Sequence, residues 1–210
     1  MLVSARHACG LLLEERGIAR AQARRLLAAG LAGPGVRGAG AVLYDPIAVQ
    51  ALASRPVLEL DELAPVCPNG LVVARLDTTR RTDAMADWQE RAVDLSGPWA
   101  MPPWTRALLA ARITALGTLP WVATLCGHVV LGADAVGVHS DAAPAHVREG
   151  HGEDRDAVVT FTLARPGSWF DAVGDAVLRT GRGGRPCLIW VPRCGPPDPC
   201  PLPLITASRG

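Results

Sequence analysis

The sequence predicts an α+β fold, with a small helical module at the N-terminus followed by a mixed α/β domain of about five strands and three helices. Two short segments within the first 30 residues carry apolar side chains at helical spacing, and apolar runs of strand length recur after residue 70. A chain of 210 residues fits one large domain or two small ones. With 49% hydrophobic residues, it has enough apolar material to build a core in each part.

The first two helices of the module are predicted from apolar periodicity. Residues 4–16 and 19–29 each place apolar side chains on one face, and Gly17 and Gly30 end the two helices. The apolar side chains are Ala8, Leu11 and Leu12 in the first helix and Ala23, Leu26 and Leu27 in the second.

Glycine and proline residues between positions 33 and 40 predict a hairpin whose second strand covers residues 41–44. Asp45-Pro46 then supplies a capping residue and a first-turn proline, which together predict the start of a third helix. Apolar residues at Ile47, Val49 and Leu52 support that helix up to Pro56.

The rest of the chain is predicted to contain a linker, the mixed domain and a tail. The linker covers residues 57–70, of which 57–64 could form one or two helical turns, and the proline-rich tail covers 193–210. Between them, strands are expected at 71–76, 121–126, 128–138, 158–163 and 187–191, where 121–126 and 128–138 could also be one strand joined near Gly127. Helices are expected at 83–93, 104–116 and 168–178. Residues 140–156 are expected to form a polar loop and Gly181–Gly184 a turn. We expect Trp104, Trp121, Trp169 and Trp190 to lie in the core, while Trp99 could line a pocket instead. The domain boundaries are therefore 1–56, 57–70, 71–192 and 193–210.

Positive charge is concentrated in the N-terminal module. Residues 1–55 hold seven arginines against Glu14, Glu15 and Asp45, whereas the remaining residues hold more acids than arginines. A local excess of arginine is typical of a surface that meets nucleic acid, although it is also compatible with an ordinary solvated face.

The second helix and the hairpin carry the side chains that a DNA reader needs. Arginine can pair with guanine through two hydrogen bonds and glutamine with adenine, while glycine lets backbone approach phosphate closely. A helix N-terminus also favours phosphate. The candidate DNA-binding residues are Arg20, Gln22, Arg24 and Arg25 on the second helix, with Arg37 and Gly38 on the hairpin.

The stretch from Gly17 to Arg55 resembles the winged helix-turn-helix of the MerR and excisionase class. The matching residues are Gly17-Ile18-Ala19-Arg20, Arg24-Arg25-Leu26-Leu27, Gly30-Leu31, Val36-Arg37 and Leu43-Tyr44-Asp45. The resemblance covers about a quarter of the chain and implies DNA recognition by the second helix and the wing. Ala19 stands where that class usually has Ser or Thr, and no heptad pattern for a dimerisation coiled coil follows residue 55.

These observations predict a sequence-specific protein that binds double-stranded DNA, most simply a transcriptional regulator. Its second domain would form a homodimer, sense a small-molecule effector whose identity the sequence does not give, or bind a partner. The alternative is an interaction or structural protein whose N-terminal module docks another protein. An enzyme housed in the second domain is the third hypothesis, but no catalytic motif supports it, so we predict no enzyme.

No cofactor or metal is predicted. Cys187, Cys194 and Cys200 are too widely spaced for a typical zinc site, even with Cys67. A disulfide between Cys194 and Cys200 would need oxidising conditions. Five acid and histidine side chains form a cluster that is more simply a solvated loop, namely His146, Glu149, His151, Glu153 and Asp154. The sequence shows neither a membrane-spanning run nor a signal-peptide pattern, so a cytoplasmic location is expected.

Overall fold

The computed structural model describes residues 1–38, 40–77, 80, 82–140, 157–180 and 187–192. Helices and strands alternate irregularly along this part of the chain, so the predicted α+β class is confirmed. The predictions for the 140–156 loop, the 181–184 turn and the 193–210 tail lie outside the described residues.

The N-terminal module consists of three helices and a three-stranded antiparallel sheet in the order β1-β3-β2. The helix α1 packs against α2, α3 and β3, so one small core holds the whole module. Its elements are β1 (Val3–Ser4), α1 (Ala5–Arg16), α2 (Arg20–Ala28), β2 (Val36–Gly38), β3 (Ala41–Tyr44) and α3 (Pro46–Ala53).

Local sequence signals set the ends of these helices. The Ser4 side chain accepts a hydrogen bond from the His7 N–H at the start of α1, and Asp45 accepts one from Ile47 N–H at 3.0 Å at the start of α3. Gly17 ends α1 with φ of 65°, a left-handed conformation that glycine adopts without strain. The predicted start of α3 at Asp45-Pro46 is therefore confirmed.

Within the described residues, eight strands form one mixed sheet. Its path runs β11-β5-β7-β8; β5 and β7 are parallel, and the other pairs on this path are antiparallel. Beyond β8 the sheet divides, because β8 pairs with β10 at its start and with β9 along its second half. The strand β10 continues to β4 in parallel, and β9 continues to β6. The strands are β4 (Val57–Glu59), β5 (Leu71–Leu76), β6 (Trp99–Met101), β7 (Leu119–Leu125), β8 (His128–Ser140), β9 (Ala157–Ala164), β10 (Val177–Arg179) and β11 (Cys187–Trp190).

The two faces of this sheet belong to two hydrophobic clusters. Successive strand side chains point to opposite faces, so Val72 and Ala74 join one cluster while Leu71 and Val73 join the other. The first cluster continues into the N-terminal module and receives buried side chains from α4 (Trp88–Leu95) and α5 (Pro103–Leu116). The second lies under two short 3₁₀ helices, Leu60–Leu63 and Ser168–Ala172. Because the first cluster runs through both parts, the module and the sheet share one core.

Backbone and side-chain hydrogen bonds reinforce the contact between the module and the sheet, which we call the seam. The Ala84 N–H donates to Ala29 O at 2.8 Å, just after α2 ends. Arg25 and Arg55 of the module donate to backbone carbonyls of the second domain. The seam therefore depends on these named contacts as well as on apolar packing.

The second domain has more strands than the sequence predicted. The five predicted strands all form, but β4, β6 and β10 raise the number in the described residues to eight. The predicted helix over 168–178 is wrong, because only Ser168–Ala172 is helical, as 3₁₀ turns, and residues 177–179 pair with β4. Asp134 fixes this segment by accepting hydrogen bonds from the Gly167 N–H and from Trp169 Nε1 at 2.7 Å.

Other expectations about the second domain are corrected as well. The helix expected over 83–93 is α4, which begins only after its capping residue Asp87. Residues 57–70 contain the strand β4, which the sequence did not predict, and the 3₁₀ helix Leu60–Leu63, which agrees with the one or two helical turns expected in this linker. Trp104 is 62% exposed because the apolar side of α5 that faces the sheet consists of Leu109 and Ile113. Trp121, Trp190 and also Trp99 are buried, whereas Trp169 is half-buried.

None of the helices in the described part of the chain has the length and apolar character needed to cross a membrane.

Candidate nucleic-acid interface

The second helix of the module has one packed face and one exposed face. Ala23, Leu26 and Leu27 are all buried in the apolar cluster that α2 shares with α1, as the sequence predicted. The polar residues Arg20, Gln22 and Arg24 are all exposed. The chain therefore holds α2 by its apolar side and leaves a basic side open to solvent.

The N-terminus of α2 has no side-chain cap. Ala19 occupies the capping position with φ of −57° and ψ of 142°, and no side chain within the described residues bonds to the first N–H groups of the helix. Those N–H groups carry the positive end of the helix dipole. An anion such as a phosphate oxygen can fill the position that a Ser or Thr hydroxyl would otherwise take.

The hairpin β2–β3 carries the two remaining candidates. Arg37 lies opposite Val42 in the ladder, and its side chain is exposed. Gly38 pairs with Ala41 beside the turn, where Gly40 has φ of 76°. A side chain added at Gly38 would meet only ordinary van der Waals contact with Leu43, so packing does not require glycine there.

Arg25 differs from its neighbours on α2. Its guanidinium donates to Leu76 O at 3.0 Å and also to Asp77 O, at the end of β5. The side chain is half-buried and holds the helix to the second domain. Although the sequence grouped Arg25 with the DNA-contacting residues, the structure uses it in the seam, and we leave it out of the proposed interface.

Two further arginines of the module donate to backbone carbonyls. Arg16 bonds to Ala53 O and Arg55 O, which closes the end of α3, and Arg55 bonds to Val129 O of β8 at 3.4 Å. We call Arg16, Arg25 and Arg55 the docked arginines.

The other four arginines of residues 1–55 are exposed, and within the described residues none of their guanidinium groups forms a hydrogen bond or an ion pair. We call these the open arginines: Arg6, Arg20, Arg24 and Arg37.

Arg6 and His7 are candidate residues that sequence reasoning missed. They line a shallow groove of about 340 Å³ between α1 and the start of α2, together with Arg20. Glu14 is the acidic residue in this groove. Arg6 lies in the first turn of α1, two residues after the capping residue Ser4. This position beside a predicted N-terminus was the signal that could have identified it.

The described residues contain no group of three His, Cys, Asp or Glu side chains arranged to hold a metal ion. Burial raises the pKa of Cys187 to about 12 and that of Cys67 to about 11, so both thiols keep their protons at neutral pH. The other candidate ligands and the candidate disulfide, Cys194, Cys200 and the His146–Asp154 cluster, lie outside the described residues.

Comparison of the chain with protein-family models, curated proteins and solved structures found no match. The case for a function therefore depends on the chain's own residues.

Proposed function

We propose that this protein binds double-stranded DNA through α2 and the β2–β3 hairpin, as a winged helix-turn-helix module, and acts as a transcriptional regulator. The observation that carries the proposal is the pair of opposite faces on α2, with Ala23, Leu26 and Leu27 buried and Arg20, Gln22 and Arg24 exposed. An arginine and glutamine face on a supported helix has the donors and acceptors that read base edges in the major groove.

The open arginines support a phosphate-binding role. An exposed guanidinium without an internal partner loses little when it leaves water for a phosphate, and each phosphate contact releases condensed counterions. The uncapped N-terminus of α2 adds backbone N–H donors at the same end as Arg20. Arg37 and Gly38 on the hairpin would extend these contacts along the backbone.

The second domain would serve dimerisation, ligand sensing or partner binding. No heptad pattern follows the module, so a homodimer would pair through the second domain. A symmetric dimer binds two half-sites related by the same two-fold axis, so its preferred DNA would be an inverted repeat.

The experiment that tests this function is selection of random duplex DNA by the full chain at near-physiological salt, followed by sequencing. We expect one enriched motif, in an inverted arrangement if the protein dimerises. If no motif is enriched and a pulled-down protein survives at high salt, the alternative of a protein-docking module replaces the proposal.

Point variants then test the interface on the selected DNA. Replacing both Arg20 and Arg24 with Ala should weaken binding by more than about tenfold at fixed salt and make the salt dependence shallower. The matched control is Arg165→Ala with Arg179→Ala, which removes two exposed arginines from the second domain and should leave affinity nearly unchanged. Equal affinity and equal salt slope for the two double variants would show that α2 does not contact DNA.

A further inference from the structure

The long strand β8 has an edge segment that no neighbouring strand of the described residues covers. On this side, β10 meets β8 at His128 and β9 begins only at Asp134. A β-bulge lies in the gap, because Leu131 pairs with Ala123 and Val129 pairs with Thr124 on the other side, which leaves Val130 as the extra residue. The backbone carbonyls between the two partner strands need other hydrogen-bond donors.

Three side chains supply those donors. Trp88 Nε1 donates to Gly132 O at 2.8 Å, and Arg91 Nη1 donates to Val130 O at 2.7 Å, both from α4. Arg55 of the module donates to the adjacent Val129 O. The two guanidinium groups bond to consecutive residues of β8, and both arginines line the same cleft at this edge.

A cleft of about 570 Å³ opens over this edge. It lies at the seam, because its lining includes Leu31 from the turn after α2 as well as Trp88 and Phe170 from the second domain. The volume of this cleft lies in the range of small-molecule sites, and Trp88 and Phe170 give it two aromatic walls. Phe170 packs so closely over Gly132 that an added Cβ would lie 2.1 Å from its ring. Gly132 therefore lets this aromatic wall approach the strand.

The two arginines of the cleft have N–H donors left over for an anion, and the two aspartates of the lining point mostly into water. A guanidinium has five N–H donors, and the hydrogen bonds among described residues use only some of those on Arg55 and Arg91. Burial lowers the pKa of Arg55, and the charge of Asp175 only partly opposes this. Asp175 lies 3.6 Å from Arg55, but its side chain is 92% exposed and can turn away into water. Asp171, the other acid of the lining, is also exposed.

We propose that this cleft binds a small carboxylate with an aromatic or apolar body. The carboxylate contacts Arg55 and Arg91, which together can offer the paired N–H donors that carboxylates bind best. The body packs against Trp88, Phe170 and Leu31. Binding can be measured without DNA, so this proposal and the proposed function can fail separately.

The test uses the full chain, labelled so that the indole N–H signals of its tryptophans are seen by NMR. Trp88→Phe identifies the Trp88 signal. The probes are phenylacetate and indole-3-acetate at millimolar concentration, each compared with its uncharged amide. We expect both acids to shift the Trp88 signal and to raise the melting temperature, with the amides at least about tenfold weaker. The proposal is overturned if neither acid shifts that signal, or if the amides bind as well as the acids.

Variants of the two arginines locate the bound carboxylate. Arg91→Met and Arg55→Met keep most of the apolar stem and should each weaken binding of the better acid by about tenfold. Arg179→Met removes an exposed arginine elsewhere and should bind like the original protein. If Arg91→Met does not fold, Arg91→Lys keeps the charge but loses the planar fork and should still bind more weakly. Unchanged affinity in the folded Arg91 and Arg55 variants would overturn the proposal.

Discussion

The two sides of the N-terminal module use arginine in opposite ways. On the outer side the open arginines meet solvent, whereas at the seam and at the end of α3 the docked arginines donate to backbone carbonyls. Arg24 and Arg25 are neighbours in the sequence and fall on different sides. A count of charge treats all seven arginines alike. Within the described residues, however, only the open arginines have guanidinium groups that make no internal hydrogen bond and could turn wholly towards a phosphate. The comparison therefore separates the proposed DNA-recognition residues of α2 from the residue that joins this helix to the second domain.

The largest expected loss of stability comes from a cavity in the core that both sides of the module share. Leu26→Ala should lower the free energy of unfolding by about 2–5 kcal/mol, because it leaves a cavity where a fully buried side chain packed. Urea denaturation measures this loss. Leu13→Ala on the exposed side of α1 is the matched control and should change stability by less than about 0.5 kcal/mol. Similar losses in the two variants would contradict the assigned core.

The next largest effect should be a pH dependence of the free energy of unfolding that arises from a histidine at the seam. His128 is 2% exposed, and neither ring nitrogen has a hydrogen-bond partner among the described residues. Burial, followed by the charges of Arg55 and Arg16, lowers its pKa from 6.5 to about 4; backbone groups of Cys126 and Leu52 oppose the shift without reaching hydrogen-bond geometry.

Because the neutral form of His128 is favoured in the folded state, its contribution to stability is present above pH 6.5 and is lost as the pH falls towards 4. The loss should reach about 3 kcal/mol. The measurement is the free energy of unfolding from pH 7 to pH 4 for the original protein and for His128→Gln. We expect a shallower pH dependence in the variant, while His7→Gln, which changes an exposed histidine of the outer side, should follow the original curve. Parallel curves for all three proteins would exclude His128 as the source.

The adjacent pair Arg24 and Arg25 tests the comparison most directly. Arg25→Met should cost about 1–3 kcal/mol of stability, because it removes the charged donor from Leu76 O and Asp77 O. Arg24→Met should stay within about 0.5 kcal/mol while weakening binding to the selected DNA. Chemical denaturation and fluorescence anisotropy give the two readings. If Arg24→Met lost stability while Arg25→Met lost only DNA affinity, the roles assigned to the two residues would be reversed.

The smallest expected effect concerns the uncapped start of α2. Ala19→Ser should stabilise the protein by about 0.5–1 kcal/mol, since the backbone at position 19 already has the extended conformation of a capping residue. Ala21→Ser places the same hydroxyl inside the helix and should give no gain. Thermal unfolding of both variants measures the difference, and equal melting temperatures would mean that the N–H groups are satisfied in another way.

Prediction from sequence succeeded where the signal is local. The ends of α1 and α3 follow from Gly17, Asp45 and Pro46, and the five longer strands follow from their apolar runs. The three-residue strands β4 and β10 could not be found, because their parallel pairing joins residues 57–59 to 177–179 and three residues show no periodicity. The role of Arg25 was hidden for a related reason, since its acceptors are backbone carbonyls about fifty residues away.

The candidate interface was predictable in part. The exposed and buried sides of α2 followed from the spacing of Leu26 and Leu27, because helical periodicity alone determines which side chains share a face. The sequence could not show that Arg6 lies beside Arg20, since that depends on how α1 crosses the start of α2. The cleft over β8 was equally hidden, because it depends on a bulge and on where two partner strands stop and start.

The short connection between α3 and β4 has a consequence for the spacing of half-sites in the proposed DNA target. Only residues 54–56 separate the end of the module at Ala53 from Val57, which is already a strand of the large sheet. The module and the second domain are therefore joined directly, without a long flexible linker between them. In a two-fold symmetric dimer of such chains, the distance between the two copies of α2 would be constant, because the packing of the two second domains would determine it. Inserting or deleting a base pair between half-sites should then be tolerated poorly.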